Sequence, residues 1–130
     1  MRRRDLEGPI HKAILQYLRL QYPQAVIHHS SNELNLKGDR TSKAIAQNKA
    51  KALGMMTGWP DLQMLWNGHL YCFEVKSPNG RLSDAQAQVG AEIQAAGGSF
   101  YVVRSVEDVK AAMKSRHGVV NIPFAGVINS

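Results

Sequence analysis

The sequence predicts an α/β domain built around a small mixed sheet flanked by helices. An Asn67-Gly68 pair joins two apolar runs, the strongest short hairpin signal available, because both positions of the tight turn need positive φ. Stretches with helical spacing of apolar residues lie before and after that hairpin, and a short apolar run ending in Val102-Val103 follows the second of them. At 130 residues the chain suits one core rather than two. With 44% hydrophobic and 20% charged residues it reads as globular rather than disordered.

The elements follow in order. From Leu6 to Gln21, Ile10, Ile14, Tyr17 and Leu18 make one helical stripe. Pro9 fits only a first turn, so this helix starts between Asp5 and Gly8, and Tyr22-Pro23 ends it. Ala25 to His29 is a short strand with a β-branched centre at Val26-Ile27. The polar stretch from Ser30 to Gly58 holds a helix from about Ser42 to Leu53, closed by Gly54. Strands run from Asp61 to Trp66 and from His69 to Lys76. A helix from Ser83 to Ala96 stops at Gly97-Gly98, Ser99 to Val103 is a strand, and Ser105 caps a last helix ending at Ser115. We expect a single domain over residues 1–130, with its core at about 5–115. The apolar tail, residues 116–130, either covers that core or meets a second subunit.

Sixteen Lys and Arg against ten Asp and Glu give a net charge of +6, which favours a polyanionic partner. Arg2-Arg3-Arg4, Lys37, Arg40, Lys43, Lys49 and Lys51 would serve as phosphate contacts, which position a nucleic acid without reading its sequence. A solvated surface helix is the plainer explanation of the same charges. A lone cysteine, Cys72, excludes an internal disulfide and a Cys-rich zinc site. No apolar run approaches the ~20 residues of a membrane helix, and no apolar stretch follows the arginines, so a cytoplasmic protein is expected.

The turn fixes a register. With a two-residue loop, Trp66 pairs with His69 and Asp61 lies opposite Glu74, with Lys76 on the same face. Leu62, Met64, Trp66, Tyr71, Phe73 and Val75 form the other, core-facing side. Carboxylates opposite one another, with Cβ atoms ~5 Å apart, destabilise a strand pair. A divalent cation offsets that repulsion, since Mg²⁺ prefers carboxylate oxygens and waters. The Lys76 ammonium beside it would orient or deprotonate a water, or hold a phosphate oxygen. A surface salt-bridge cluster of Asp61, Lys76 and Glu74 is the alternative. The register and the basic neighbourhood favour metal-assisted hydrolysis of a phosphodiester. Glu7, one turn before Ile10, either projects towards the sheet or simply favours the helix dipole. Gln86 follows Ser83 by three, a capping box, and would join the site only by turning away from the Ser83 backbone. The five histidines show no metal-ligand spacing, and His28-His29 reads as structural or as a phosphate contact. Cys72 reads as packing.

Gly58-Trp59-Pro60-Asp61-Leu62, Phe73-Glu74-Val75-Lys76, and Gly80-Arg81-Leu82-Ser83 with Gln86 resemble the VRR-NUC domain. That is the virus-type replication-repair nuclease branch of the PD-(D/E)xK superfamily. Asn32-Glu33, Lys51-Ala52-Leu53-Gly54 and the step from Ala96-Gly97-Gly98 to Tyr101-Val102-Val103 are similar too, so the likeness runs from about Glu7 to Lys114. It implies a restriction-endonuclease-like fold and a Mg²⁺- or Mn²⁺-dependent endodeoxyribonuclease. Asp61, Glu74 and the Val75 carbonyl would bind the metal, Lys76 would be catalytic, and Glu7 and Gln86 would complete the site. Arg81 joins the expected DNA contacts. With no further domain attached, the chain resembles stand-alone viral and phage members. These are homodimers that cut four-way DNA junctions, a symmetric substrate suited to two sites about a two-fold axis. The expected function is therefore a structure-selective Holliday-junction resolvase. The alternatives are a flap or nicking endonuclease on other branched DNA, a nuclease-inactive DNA-binding module, and a small RNA-binding protein. The last lacks the aromatic platform of single-strand binders.

Overall fold

The structure, a computed structural model, describes residues 6–30 and 39–116. The expectations for Arg2-Arg3-Arg4, Asn32-Glu33, Lys37 and the apolar tail lie outside the described residues. The first helix, α1 (Glu7–Gln21), carries Pro9 in its opening turn and buries Ile14 and Leu18, with Ile10 and Tyr17 packed alongside. It closes where the Tyr22 N–H donates to the Leu18 carbonyl at 2.8 Å. Strand β1 (Val26–His29) follows. The polar helix α2 (Arg40–Ala52) starts two residues before the expected Ser42, because the Asp39 carboxylate caps it by accepting from the Ser42 N–H at 2.8 Å. None of its residues is buried.

The hairpin is β2 (Leu62–Trp66) and β3 (His69–Val75). Asn67 at φ 50° and Gly68 at φ 76° supply the two left-handed turn residues, and Trp66 pairs with His69 as the turn requires. Helix α3 (Asp84–Ala95), capped by Ser83, leads to β4 (Ser99–Val103) and α4 (Val106–Arg116). Strand order is β1-β2-β3-β4. The β1–β2 and β2–β3 pairs are antiparallel, and β3–β4 is parallel, joined by the α3 crossover that parallel neighbours need.

The register sorts the side chains into two layers. Leu62, Met64, Tyr71, Phe73 and Val75 meet Ile14, Leu18, Val109, Ala112 and Met113 of α1 and α4. Across the sheet, Cys72 and Phe100 pack under Val89 and Ile93 of α3, so Cys72 is a packing residue. Gly90 lets α3 sit this close: a Cβ there would lie 2.4 Å from Phe100 Cε2. On the α3 side, the paired residues Val26 and Leu65 stay 67% and 49% exposed.

Candidate active site

The hairpin ends, away from its turn, where β2 begins and β3 finishes. Hydrogen-bonded pairs alternate along an antiparallel ladder, so after Trp66–His69, Met64–Tyr71 and Leu62–Phe73 the next rung would join Pro60 to Val75. That rung is absent. Proline has no N–H to give, and the Pro60 carbonyl accepts from Gln63 Nε2 at 2.7 Å. The Val75 N–H donates instead to Asp61 Oδ2 at 2.9 Å. The Asp61 backbone carbonyl is held from β1, by the Ser30 N–H at 2.9 Å and His29 Nδ1 at 3.0 Å. His29 thus has a structural contact, one of the two roles its position suggested.

Glu74 is only 2% exposed, so the three charges form no surface cluster. Its Oε2 accepts from Gln86 Nε2 at 2.9 Å and faces Lys76 Nζ at 3.4 Å. Its Oε1 is buried without a hydrogen-bond partner. Burial, reinforced by the Asp61 charge and opposed by Lys76, pushes the Glu74 carboxyl up to about 8.

Gln86 corrects the sequence expectation that capping and site work exclude each other. Its Oε1 accepts from the Ser83 N–H at 2.9 Å, completing the capping box, while its Nε2 reaches Glu74. One planar amide has an acceptor end and a donor end, and both are used. The Gly58 loop leans on the same turn: at φ +90°, an added Cβ would meet the Ala85 carbonyl carbon at 2.6 Å.

Beside Asp61 opens a cleft of about 430 Å³ lined by Glu7, Gly8, His11, Lys12, His29 and Val75. Glu7 therefore faces the same space as Asp61. His11 and His29 meet edge to face at 4.5 Å. Desolvation, with His29 alongside, lowers the His11 pKa against the opposing pull of Asp61. Among the described residues, no three His, Cys, Asp or Glu side chains converge closely enough to hold a metal ion. The candidate set is thus two carboxylates with the Val75 carbonyl between Glu74 and Lys76. An orphaned, buried carboxylate oxygen beside a second carboxylate fits a hard divalent cation, which prefers oxygen donors.

Arg40, Lys43, Lys49, Lys51 and Arg81 are all exposed. At 3.6 residues per turn, Arg40, Lys43 and Lys51 share one side of α2, and Lys49 points to the opposite one. Sequence reasoning missed Gln63 and Arg104, whose Nη2 donates to the Gly80 carbonyl at 2.8 Å and pins the loop that carries Arg81. It also missed the approach of His11 to His29. A lone Gln in a strand and a lone Arg after one carry no pattern that marks them.

The sequence profile of the VRR-NUC domain matches residues 4–107. No curated protein matches the chain. Among solved structures, a "VRR_NUC domain protein" superposes with a TM-score of 0.61 at 18% identity, over 97% of this chain and 98% of its own. At that identity the likeness speaks for the fold alone.

Proposed function

Because the chain belongs to the VRR-NUC domain family, and so to the PD-(D/E)xK-like nucleases, we propose that it is a Mg²⁺- or Mn²⁺-dependent, structure-selective DNA endonuclease, a homodimer that resolves four-way junctions. The observation that carries the nuclease reading is the meeting of Asp61, buried Glu74 and Lys76 at the open end of one hairpin. Asp61, Glu74 and the Val75 carbonyl would hold the cation. When bound, it supplies positive charge to the scissile phosphate and acidifies water.

The chain's own groups do the rest. Lys76 Nζ, half-buried beside Glu74, aligns the attacking water or neutralises charge developing on the phosphate. Gln86 fixes the Glu74 carboxylate through one N–H. Glu7 lines the same cleft as Asp61. Arg40, Lys43 and Lys51, with Arg81, hold the DNA backbone. The family resemblance suggests the junction and the dimer, and a DNA-bound cytoplasmic location goes with that reading. No helix among the described residues is long and apolar enough to cross a membrane.

The test is incubation with labelled four-way junction, flap, duplex and single-stranded DNA, in Mg²⁺, Mn²⁺ or EDTA. Metal-dependent paired nicks across the junction are expected, with Asp61→Ala and Lys76→Ala binding the junction but leaving it intact. Cutting confined to flaps would replace the resolvase with a flap endonuclease. Binding without cleavage in any metal would leave a DNA-binding module, and full cleavage by either variant would refute the assigned residues.

A further inference from the structure

We propose that Gln63 is a positioning residue, which turns the Asp61 carboxylate into the site by drawing the Pro60 carbonyl out of the β2–β3 ladder. The inference rests on the reading of Asp61 as a metal ligand. In a regular ladder the Val75 N–H would donate to the Pro60 carbonyl, and the Asp61 side chain would have no backbone partner on β3. Gln63 is buried, and its amide is used at both ends: Nε2 donates to the Pro60 carbonyl at 2.7 Å, and Oε1 accepts from Ser30 Oγ at 2.8 Å. The Pro60 carbonyl can only accept, which fixes Nε2 towards it, and the Ser30 hydroxyl donates to the end that is left. With its acceptor removed, the Val75 N–H goes to Asp61 Oδ2. β1 clamps the next carbonyl, that of Asp61, through Ser30 N–H and His29 Nδ1. The peptide on each side of the Asp61 Cα is thereby held, one by the Gln63 side chain of β2 and the other by the end of β1 and Ser30. The carboxylate is aimed before any ligand arrives.

The cost of losing such an orienting partner is ~10–100-fold in metal affinity. The informative variants are Gln63→Glu, which keeps an acceptor for Ser30 but has no N–H for Pro60, Gln63→Leu, and Ser30→Ala, which removes the donor that steadies the other end of the amide. In the metal-free protein, an NMR coupling across the hydrogen bond from Val75 N to the Pro60 carbonyl carbon is expected in the Gln63 variants and not in the wild type. Mn²⁺ titration followed by electron paramagnetic resonance should show affinity reduced ~10–100-fold in the Gln63 variants and less in Ser30→Ala. Raising Mn²⁺ should restore cleavage by the Gln63 variants, but not by Asp61→Ala. Should the Gln63 variants fail to fold, Ser30→Ala carries the same two measurements. Wild-type Mn²⁺ affinity, or a ladder bond absent from every folded variant, would overturn the proposal. A wild-type protein that binds no Mn²⁺ would overturn the metal reading instead, and the NMR measurement would still decide the role of Gln63.

Discussion

Gly58→Ala tests whether the loop before Asp61 and the first turn of α3 are held in register by backbone contact. At φ +90° any L side chain is strained, a cost of about 1–2 kcal/mol. The new Cβ would also lie 2.6 Å from the Ala85 carbonyl carbon and oxygen and 2.8 Å from Gln86 N. These are backbone atoms of a capped helix, so they cannot rotate away. Ordinary contact begins near 3.4 Å, so loop and helix must part by ~0.8 Å. Gln86 and Asp61 ride on opposite sides of that gap, and a displacement of about 1 Å at a reacting centre costs ~10²-fold in rate. Gly97→Ala is the control: its φ is +104°, with nothing within 4 Å of the added Cβ. Denaturant melts and single-turnover cleavage at saturating metal should show Gly97→Ala less stable by about 1–2 kcal/mol but wild-type in rate. Gly58→Ala should lose a further ~1–3 kcal/mol and cut ~10²-fold slower. Equal stability of the two variants, with equal rates, would refute the reasoning.

Three other outcomes are expected. Native Glu74 holds its proton up to about 8 against an ordinary 4.5, so the folded state's advantage is complete below 4.5 and is lost as pH rises through 8. In EDTA, the melting temperature of Glu74→Gln relative to wild type should therefore climb by several degrees from pH 5 to pH 9, and a flat difference would contradict the buried carboxylate. Gly90→Ala drives a methyl to 2.4 Å from a ring that is itself buried, so overpacking of ~1–3 kcal/mol outweighs the ~1 kcal/mol that Ala gains over Gly in a helix. Denaturation should show a net loss of up to about 2 kcal/mol, and a higher midpoint would be wrong for this packing. Burial pushes the Cys72 thiol up to about 12, so a thiol reagent at pH 8 should label it only in denaturant, and stoichiometric labelling of the native protein would contradict the packing.

What could be read from the chain was local. Asn67-Gly68 dictates a register by covalent geometry, and the structure keeps it from Trp66–His69 to Leu62–Phe73; Asp61 lies one residue beyond and meets β3 through its side chain. The Asp39 cap was legible too, since Asp precedes the helix, but the Ser42 start hid it. Gln86 was assigned two roles as rivals because sequence spacing cannot show that an amide's two ends point at different partners. Gln63 left no signal at all. A polar residue alternating with Leu62 and Met64 reads as solvent-facing, and its burial depends on β1, which arrives from far back in the chain.

That distance has a consequence of its own. His29 and Asp61, neighbours at one end of the sheet, stand 32 positions apart in sequence, although antiparallel strands can be joined by a turn of a few residues. Three doublings of loop length separate the two designs, an entropic cost of ~2 kcal/mol. Helix α2 returns none of it through burial. Helix α2 is thus a module set into the β1–β2 connection ahead of the Gly58 loop, and its length and charge are open to change without rebuilding the fold. A chain shortened there should fold more readily while losing whatever Arg40, Lys43 and Lys51 hold.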